Sequence, residues 1–144
     1  MTPVNSTSSL VYVAGPLFDE GERWWIEQVD ATIQAEGFAT FLPHRDNPAK
    51  TAENVGEIFD NNVAAIESSS IVVASLNGIT TDDGTAWEIG YAYGLSRHII
   101  GLHTDWRRRF DDEVVNLMIE RSTNSLARSL DELTKLLTAW RFSG

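Results

Sequence analysis

Two acidic residues that lie close together in the sequence are the clearest candidates for a chemical role. Glu88 and Asp82 belong to the segment 82–92, which is Asp-Asp-Gly-Thr-Ala-Trp-Glu-Ile-Gly-Tyr-Ala. If a helix starts at Thr85, Glu88 falls in its first turn, where the helix dipole favours an ionised carboxylate. Such a carboxylate can attack an electrophilic centre such as the anomeric carbon of a sugar. Asp82 precedes the helix and is free to meet a substrate hydroxyl group.

A second segment, 11–18, has the sequence Val-Tyr-Val-Ala-Gly-Pro-Leu-Phe. A tyrosine inside a buried strand needs a hydrogen-bond partner, so Tyr12 is a candidate to touch another functional group. Gly15, at the strand end, permits a ligand to approach the backbone closely. Taken separately, both segments have ordinary structural explanations: a core tyrosine before a turn, and helix-start and loop acids. Neither contains the Gly-x-Gly-x-x-Gly fingerprint of dinucleotide-binding proteins.

Strands and helices alternate along the chain. Apolar runs rich in β-branched residues predict strands over 10–14, 38–42, 71–76 and 99–103. Segments with helical periodicity predict helices over 19–36, 54–68, 85–97, 112–120 and from Ser129 to Trp140. Ser129 and Glu132 have the spacing of a capping box at the start of the last helix. The segments 44–53, 77–84 and 104–111 are predicted to be loops.

This alternation predicts an α/β fold: a single-domain parallel sheet flanked by helices, of flavodoxin-like or Rossmann-like type. The domain is expected to span 10–144, after a flexible N-terminal segment 1–9. In such sheets ligands bind beyond the carboxyl ends of the strands, so the loops after Ala14, Leu42 and Leu76 are the places to search. A flavodoxin-like or receiver-like signalling domain predicts a similar order of elements.

Composition excludes several classes of function. The net charge of −10 repels phosphate backbones and argues against nucleic-acid binding. The chain contains no cysteine, which removes disulfides and thiolate chemistry. We expect neither a signal peptide nor a membrane span, and a cytoplasmic location. His44, His98 and His103 lack metal-ligand spacing, so no metal is expected. The run Arg107–Arg109 is interpreted as a solvated loop.

Taken together, the segments 11–18 and 82–92 resemble the nucleoside 2-deoxyribosyltransferase family. Its members have a Tyr-x-Ala-Gly-Pro-Leu-Phe-like first strand and an Asp-x-Gly-Thr-Ala-Trp-Glu-x-Gly-Tyr-Ala-like segment. The resemblance extends over about 10–137 and includes the tripeptides Phe41-Leu42-Pro43 and Asn116-Leu117-Met118.

The resemblance implies a role for each matching residue. Glu88 would be the nucleophile, Tyr12 its hydrogen-bonding orienter, and Asp82 the residue that holds the deoxyribose 5′-hydroxyl group. Asn116 and Met118 would reach into the active site of a neighbouring subunit, which implies a homo-oligomer. The alternative for Met118 is a place in the core of an amphipathic helix. The implied reaction exchanges the base of a 2′-deoxynucleoside for a free nucleobase through a covalent deoxyribosyl ester, and requires no cofactor.

One position departs from the family pattern. Members usually have an aspartate facing the nucleobase in the helix before the third strand, where this chain has Asn62. An aspartic acid can protonate a departing base, whereas an asparagine can only form hydrogen bonds with it. Asp60 lies two residues earlier and points to another side of the helix, which makes it a poor substitute.

The sequence leaves more than one substrate and more than one reaction open. Asp82 would repel a phosphate at the 5′ position, and the first-strand loop has no cation before Arg23, so a free nucleoside is the better substrate. The nearest alternative reaction is hydrolysis by a nucleoside or nucleotide N-glycosidase on the same scaffold. The alternative from another class is a non-catalytic nucleotide-binding module.

Overall fold

The computed structural model describes residues 2–5 and 9–143. Its centre is a sheet of five strands: β1 (Leu10–Ala14), β2 (Ala39–Phe41), β3 (Ser69–Ser75), β4 (His98–Leu102) and β5 (Ser125–Ala127). The strands lie in the order β2-β1-β3-β4-β5, and each neighbouring pair is parallel. This is the strand order of flavodoxin-like doubly wound sheets. The prediction of a single-domain α/β fold with a parallel sheet is therefore confirmed.

Helices cover both faces of the sheet, so the three central strands β1, β3 and β4 are largely buried, whereas the edge strand β2 is partly exposed. They are α1 (Glu20–Ala35), α2 (Pro43–Asp46), α3 (Val55–Ser68), α4 (Asp83–Gly94), α5 (Leu117–Ser122) and α6 (Leu130–Phe142). Alternate residues of β1 enter different cores, as the two-residue period of a strand requires. Val11 and Val13 pack with α1 and α6, whereas Tyr12 and Ala14 pack with α3, α4 and α5.

One strand was not predicted, and several predicted boundaries were wrong. The strand β5 was missed, because three residues give no periodic pattern to detect. The predicted helix over 112–120 begins only at Leu117, and its first residues form turns. The predicted loop after β2 begins with the short helix α2, since Pro43 supplies the backbone angle that a first helical turn needs. The capping box of α6 is half formed: Ser129 accepts from the Glu132 N–H, but Glu132 accepts from the Arg128 N–H.

The predicted flexible segment 1–9 lies partly outside the described residues. Within the described part, the N–H groups of Val4 and Asn5 donate to the Arg141 carbonyl over 2.8 and 2.9 Å. The flexibility of this segment stays a prediction. Among the described residues, none of the helices has the length and apolar character to cross a membrane.

Candidate active site

A cleft of about 550 Å³ opens at the carboxyl edge of the sheet, beside β1, β2 and β3. In this strand order the connections leave the sheet in opposite directions between β1 and β3, which creates a crevice for a ligand. Residues from the ends of β1 and β2, from α3 and from the start of α4 form its wall; they include Gly15, Phe18, Asn47, Asn62, Asp82 and Glu88. Four of the residues singled out from the sequence therefore meet in one cleft.

Glu88 lines this cleft, and Tyr12 lies behind it as a buried hydrogen-bond partner. The Tyr12 side chain is completely buried, and its ring stacks on Phe41 with 5.5 Å between ring centroids. Its hydroxyl group donates a hydrogen bond to Oε2 of Glu88. Burial and the neighbouring Glu88 carboxylate both raise the pKa of Tyr12, so the phenol keeps its proton and remains a donor. The strand thus holds a permanent hydrogen-bond donor against one carboxylate oxygen.

The ionisation of Glu88 is controlled by opposing influences. The pKa of its carboxyl group is raised to about 7, because burial and the nearby Asp82 charge raise it by more than the Tyr12 hydrogen bond lowers it. Because α4 starts at Asp83, Glu88 lies in the second turn and not in the first turn as predicted. The contribution of the helix dipole there is smaller than in the first turn. The carboxyl group is therefore poised to change protonation near neutral pH.

Asp82 is the N-cap of α4, a role that the sequence analysis did not assign. Its Oδ2 accepts hydrogen bonds from the backbone N–H and the hydroxyl of Thr85, each at 2.9 Å. The residue also lines the cleft. One carboxylate oxygen is thus committed to the helix, and Oδ1 is left to meet a ligand.

Gly15 lines the cleft, but its lack of a side chain serves the core. A Cβ atom at this position would lie 2.4 Å from Cδ1 of Ile26 and 3.1 Å from Cβ of Ser75. Ile26 belongs to α1 and is buried, so the glycine lets this helix lie close to β1 and β3. The structure thus gives a packing reason for Gly15 beside the predicted approach of a ligand.

Asn62 projects from α3 into the cleft, next to the loop after β2. Its Oδ1 accepts a hydrogen bond of 2.8 Å from Nδ2 of Asn47. Asp60 is exposed and does not line the cleft, in agreement with its predicted orientation. Asn47 itself was not singled out from the sequence, although it lies in one of the three loops expected to surround a ligand. Lys50, from the same loop, is another lining residue that was missed.

Asn116 and Met118 lie away from this cleft. They border a separate cavity of about 430 Å³ between α4, α5 and the loop after β3. Asn116 caps α5 by accepting from the Met118 N–H over 2.9 Å. Met118 is 69% exposed, so the alternative that places it in the core is wrong. Neither residue lines the cleft that contains Glu88 of its own chain.

Two of the remaining candidates, His44 and Arg107, have local partners, whereas neither ring nitrogen of the buried His103 has one among the described residues. His44 lines the cleft, and its Nε2 lies 3.1 Å from the Glu27 carboxylate. Arg107 pairs with Asp105 over 2.6 Å, in a loop whose Trp106 is almost fully exposed. In the part of the chain that the structure describes, no cluster of three or more His, Asp or Glu side chains could hold a metal ion.

An open parallel sheet with a carboxylate-bearing cleft at its switch point defines an α/β protein built to act on a small ligand. The chain belongs to the nucleoside 2-deoxyribosyltransferase family, whose model matches residues 11–123. The resemblance noted from the segments 11–18 and 82–92 is thereby confirmed. The family comprises nucleoside-modifying enzymes of the glycosyltransferase kind.

Individual relatives are distant in sequence and similar in fold. An uncharacterized protein of Ureaplasma parvum is 27% identical over 88% of this chain and 90% of its own. The 2-deoxyribosyltransferase of Bacillus psychrosaccharolyticus has a TM-score of 0.75 at 22% identity, with 88% of this chain and 90% of that chain covered. The CMP N-glycosidase BcmB of Clostridium botulinum has a TM-score of 0.59 at 19% identity, over 91% and 98% of the two chains.

Proposed function

We propose that this protein is a nucleoside 2-deoxyribosyltransferase that exchanges the base of a 2′-deoxynucleoside, with Glu88 as the nucleophile. The observation that carries the proposal is the Tyr12–Glu88 hydrogen bond in the switch-point cleft. It fixes one oxygen of a half-buried carboxyl group and leaves the other free. Membership of the family supports the same reaction class. We place the activity in the cytoplasm, within nucleotide metabolism.

The reaction has two halves. The free oxygen Oε1 of Glu88 attacks C1′, and the bond between C1′ and the base nitrogen breaks with its electron pair moving to the base. A deoxyribosyl ester on Glu88 results. A second nucleobase then attacks C1′ from the original face through a ring nitrogen, gives the proton of that nitrogen to water, and releases the carboxylate, so that two inversions give net retention. The departed base anion takes up a proton from water. The absence of a 2′-hydroxyl group eases the oxocarbenium-like transition state, which favours deoxynucleosides.

Tyr12 supports this chemistry by position and by charge. Its hydroxyl orients the Glu88 carboxylate toward the cleft and keeps a share of the carboxyl groups ionised near neutral pH by lowering their pKa. Asp82 is proposed to hold the 5′-hydroxyl group of the sugar through Oδ1, the oxygen that does not cap α4. A negative charge there favours a free nucleoside over a 5′-monophosphate.

The outward position of Asn116 and Met118 supports a role in a second subunit. Both matched the family pattern, and both lie outside the cleft of their own chain. We propose a homo-oligomer, at least a dimer, in which these residues complete the cleft of a partner. The exposed side chains Leu117 and Met118 then become buried at the contact.

Hydrolysis is the second candidate function, and Asn62 is the observation that favours it. The position where the family supplies an acid has none here, and a protein of similar fold is a CMP N-glycosidase. In that case water accepts the deoxyribosyl group from Glu88. The nucleophile and its orientation by Tyr12 are unchanged.

One assay tests the proposal and separates the two reactions. The protein is incubated with deoxyinosine, with or without adenine, and products are separated by liquid chromatography. We expect deoxyadenosine and hypoxanthine only when adenine is present. Hypoxanthine and free deoxyribose at equal rates in both samples would indicate a hydrolase. The absence of any cleavage would overturn both enzymatic functions and favour a binding module.

A further inference from the structure

Three asparagines form a continuous series of hydrogen bonds, and two of them, Asn47 and Asn62, lie in the wall of the cleft. Asn61 donates from Nδ2 to Oδ1 of Asn47 over 3.1 Å. Asn47 donates from its own Nδ2 to Oδ1 of Asn62 over 2.8 Å. Asn47 also donates to the backbone carbonyl of Pro43 over 2.9 Å. The loop after β2 is thereby tied to α3 at Asn62, which lines the cleft.

The Pro43 carbonyl determines which asparagine donates and which accepts in this series of hydrogen bonds. A carbonyl oxygen can only accept, so the amide nitrogen of Asn47 and not its oxygen must face Pro43. The second hydrogen of that nitrogen then points to Asn62, which must answer with its own oxygen. The usual ambiguity between the two ends of an asparagine amide is removed here by chemistry.

As a consequence, the amide nitrogen of Asn62 is the end left for the ligand. Within the described part of the chain, this Nδ2 has no hydrogen-bond partner. The atom is not fully buried, so it remains accessible. Asn62 lines the same cleft as Glu88. The cleft therefore offers an N–H donor at this point and no exchangeable acid.

We infer that Asn47 is a positioning residue that locks Asn62 as a donor, so that the site selects nucleobases that leave as anions with an acceptor edge. This inference rests on the proposed function. As the C1′–N bond breaks, its electron pair moves into the base and increases the negative charge on its carbonyl oxygens and ring nitrogens. The Asn62 N–H stabilises that charge in the manner of an oxyanion hole. Water then supplies the proton that converts the departed anion into the neutral base.

The base that leaves most easily as an anion should then be the best substrate. 2′-Deoxyuridine and 5-fluoro-2′-deoxyuridine have nearly the same shape, but the fluorine makes the free base more acidic. Both bases present carbonyl acceptors. We expect the wild type to show a kcat/KM for the fluorinated substrate that is about tenfold higher or more, because no protein acid compensates for the poorer leaving group.

Three variants separate the role of Asn62 as a hydrogen-bond donor from the role of Asn47 in orienting it. Asn62→Asp introduces an acid: the preference for the fluorinated substrate should shrink toward unity, and turnover should fall as the pH rises through the pKa of the new carboxyl group. Asn47→Asp cannot donate, so Asn62 must turn its nitrogen inward and its oxygen toward the ligand. We expect a loss of about 10²-fold in kcat for both substrates. Asn61→Ala is the matched control, since the bonds from Pro43 through Asn47 to Asn62 remain, and it should keep the wild-type preference.

The outcomes are distinguishable. If Asn62→Asp shows the wild-type preference and no loss of turnover with rising pH, or if folded Asn47→Asp has wild-type kcat, the inference is overturned while the proposed enzymatic function stands. Asn47→Gln provides a second variant of the lock, and a partial recovery of kcat relative to Asn47→Asp supports the inference. If the wild type cleaves neither substrate, the proposed function itself has failed.

Discussion

The Glu88 carboxyl group is subject to opposing influences on its ionisation. Burial favours its neutral form, whereas attack on C1′ requires the anion. Tyr12 shifts the balance toward the anion, and Asp82 shifts it back. The pKa of about 7 is the net result, and it makes the pH profile a direct report on these three side chains.

The pH dependence of kcat/KM should follow the ionisation of Glu88. Activity is expected to rise as the pH increases through about 7 and to level above it. Tyr12→Phe removes the hydrogen bond that lowers this pKa, so its rise should move to higher pH, with a rate about 10-fold to 100-fold lower. Asp82→Asn removes a charge that raises the pKa and should move the rise to lower pH. Shifts in the same direction for the two variants would contradict this account.

The same ionisation makes Glu88 a cost to stability. Its pKa in the fold, about 7, exceeds the ordinary value of 4.5, so the fold prefers the protonated form. Stability therefore falls as the pH rises from about 4.5 through about 7. Glu88→Gln should stabilise the protein by about 1–3 kcal/mol at pH 8 and by little at pH 4. Urea unfolding at both pH values measures the difference, with Glu67→Gln as an exposed control. Equal effects of Glu88→Gln at the two pH values would argue against a buried carboxyl group.

At the scale of elements, the sequence was informative where patterns are long. The helix α1 and the strands β1, β3 and β4 were predicted with boundaries within one or two residues, because their apolar positions repeat clearly. The approach of Tyr12 to Glu88 was accessible only through the family resemblance, since no local pattern tells which strand faces which helix. The Asn47–Asn62 contact was not accessible at all, because it joins a loop to a helix through side chains alone.

The packing of α1 on the sheet depends on Gly15. Gly15→Ala places a methyl group against Cδ1 of Ile26, which is buried and has little room to move. We expect a loss of about 1–3 kcal/mol in the free energy of unfolding. Ile26→Val deletes that Cδ1 atom, so the double variant should recover part of the loss when measured by urea unfolding. Strict additivity of the two changes would contradict the proposed close contact.

At the scale of the whole molecule, some of the exposed apolar side chains border the proposed site and others lie on α5. Phe59 on α3 and Trp87 and Tyr91 on α4 form an aromatic cluster. The ring centroids of Phe59 and Trp87 are 5.6 Å apart, and those of Trp87 and Tyr91 are 5.2 Å apart. Phe59 and Trp87 are about half exposed, and they border a groove that also reaches Glu88. With Leu117 and Met118, they provide an apolar surface typical of an interface.

Mixing two inactive variants tests whether sites are shared between subunits. Glu88→Ala removes the nucleophile, and Met118→Glu alters an exposed residue without disturbing its own core. After subunit exchange, half of the dimers are mixed, and each mixed dimer has one intact site. We expect about a quarter of wild-type activity to return. Failure of rescue despite exchange shown by mass spectrometry, or a monomer by light scattering, would refute the shared site and leave the Glu88 mechanism intact.

The most direct test of the central claim is base exchange by Glu88→Gln. Glutamine keeps the size of the side chain and an oxygen that accepts from Tyr12, but it lacks the charged oxygen that attacks C1′. With deoxyinosine and adenine under conditions in which the wild type forms deoxyadenosine, we predict that the folded variant forms none above the uncatalysed rate. Deoxyadenosine formation at a rate near that of the wild type would contradict the assignment of Glu88 as the nucleophile.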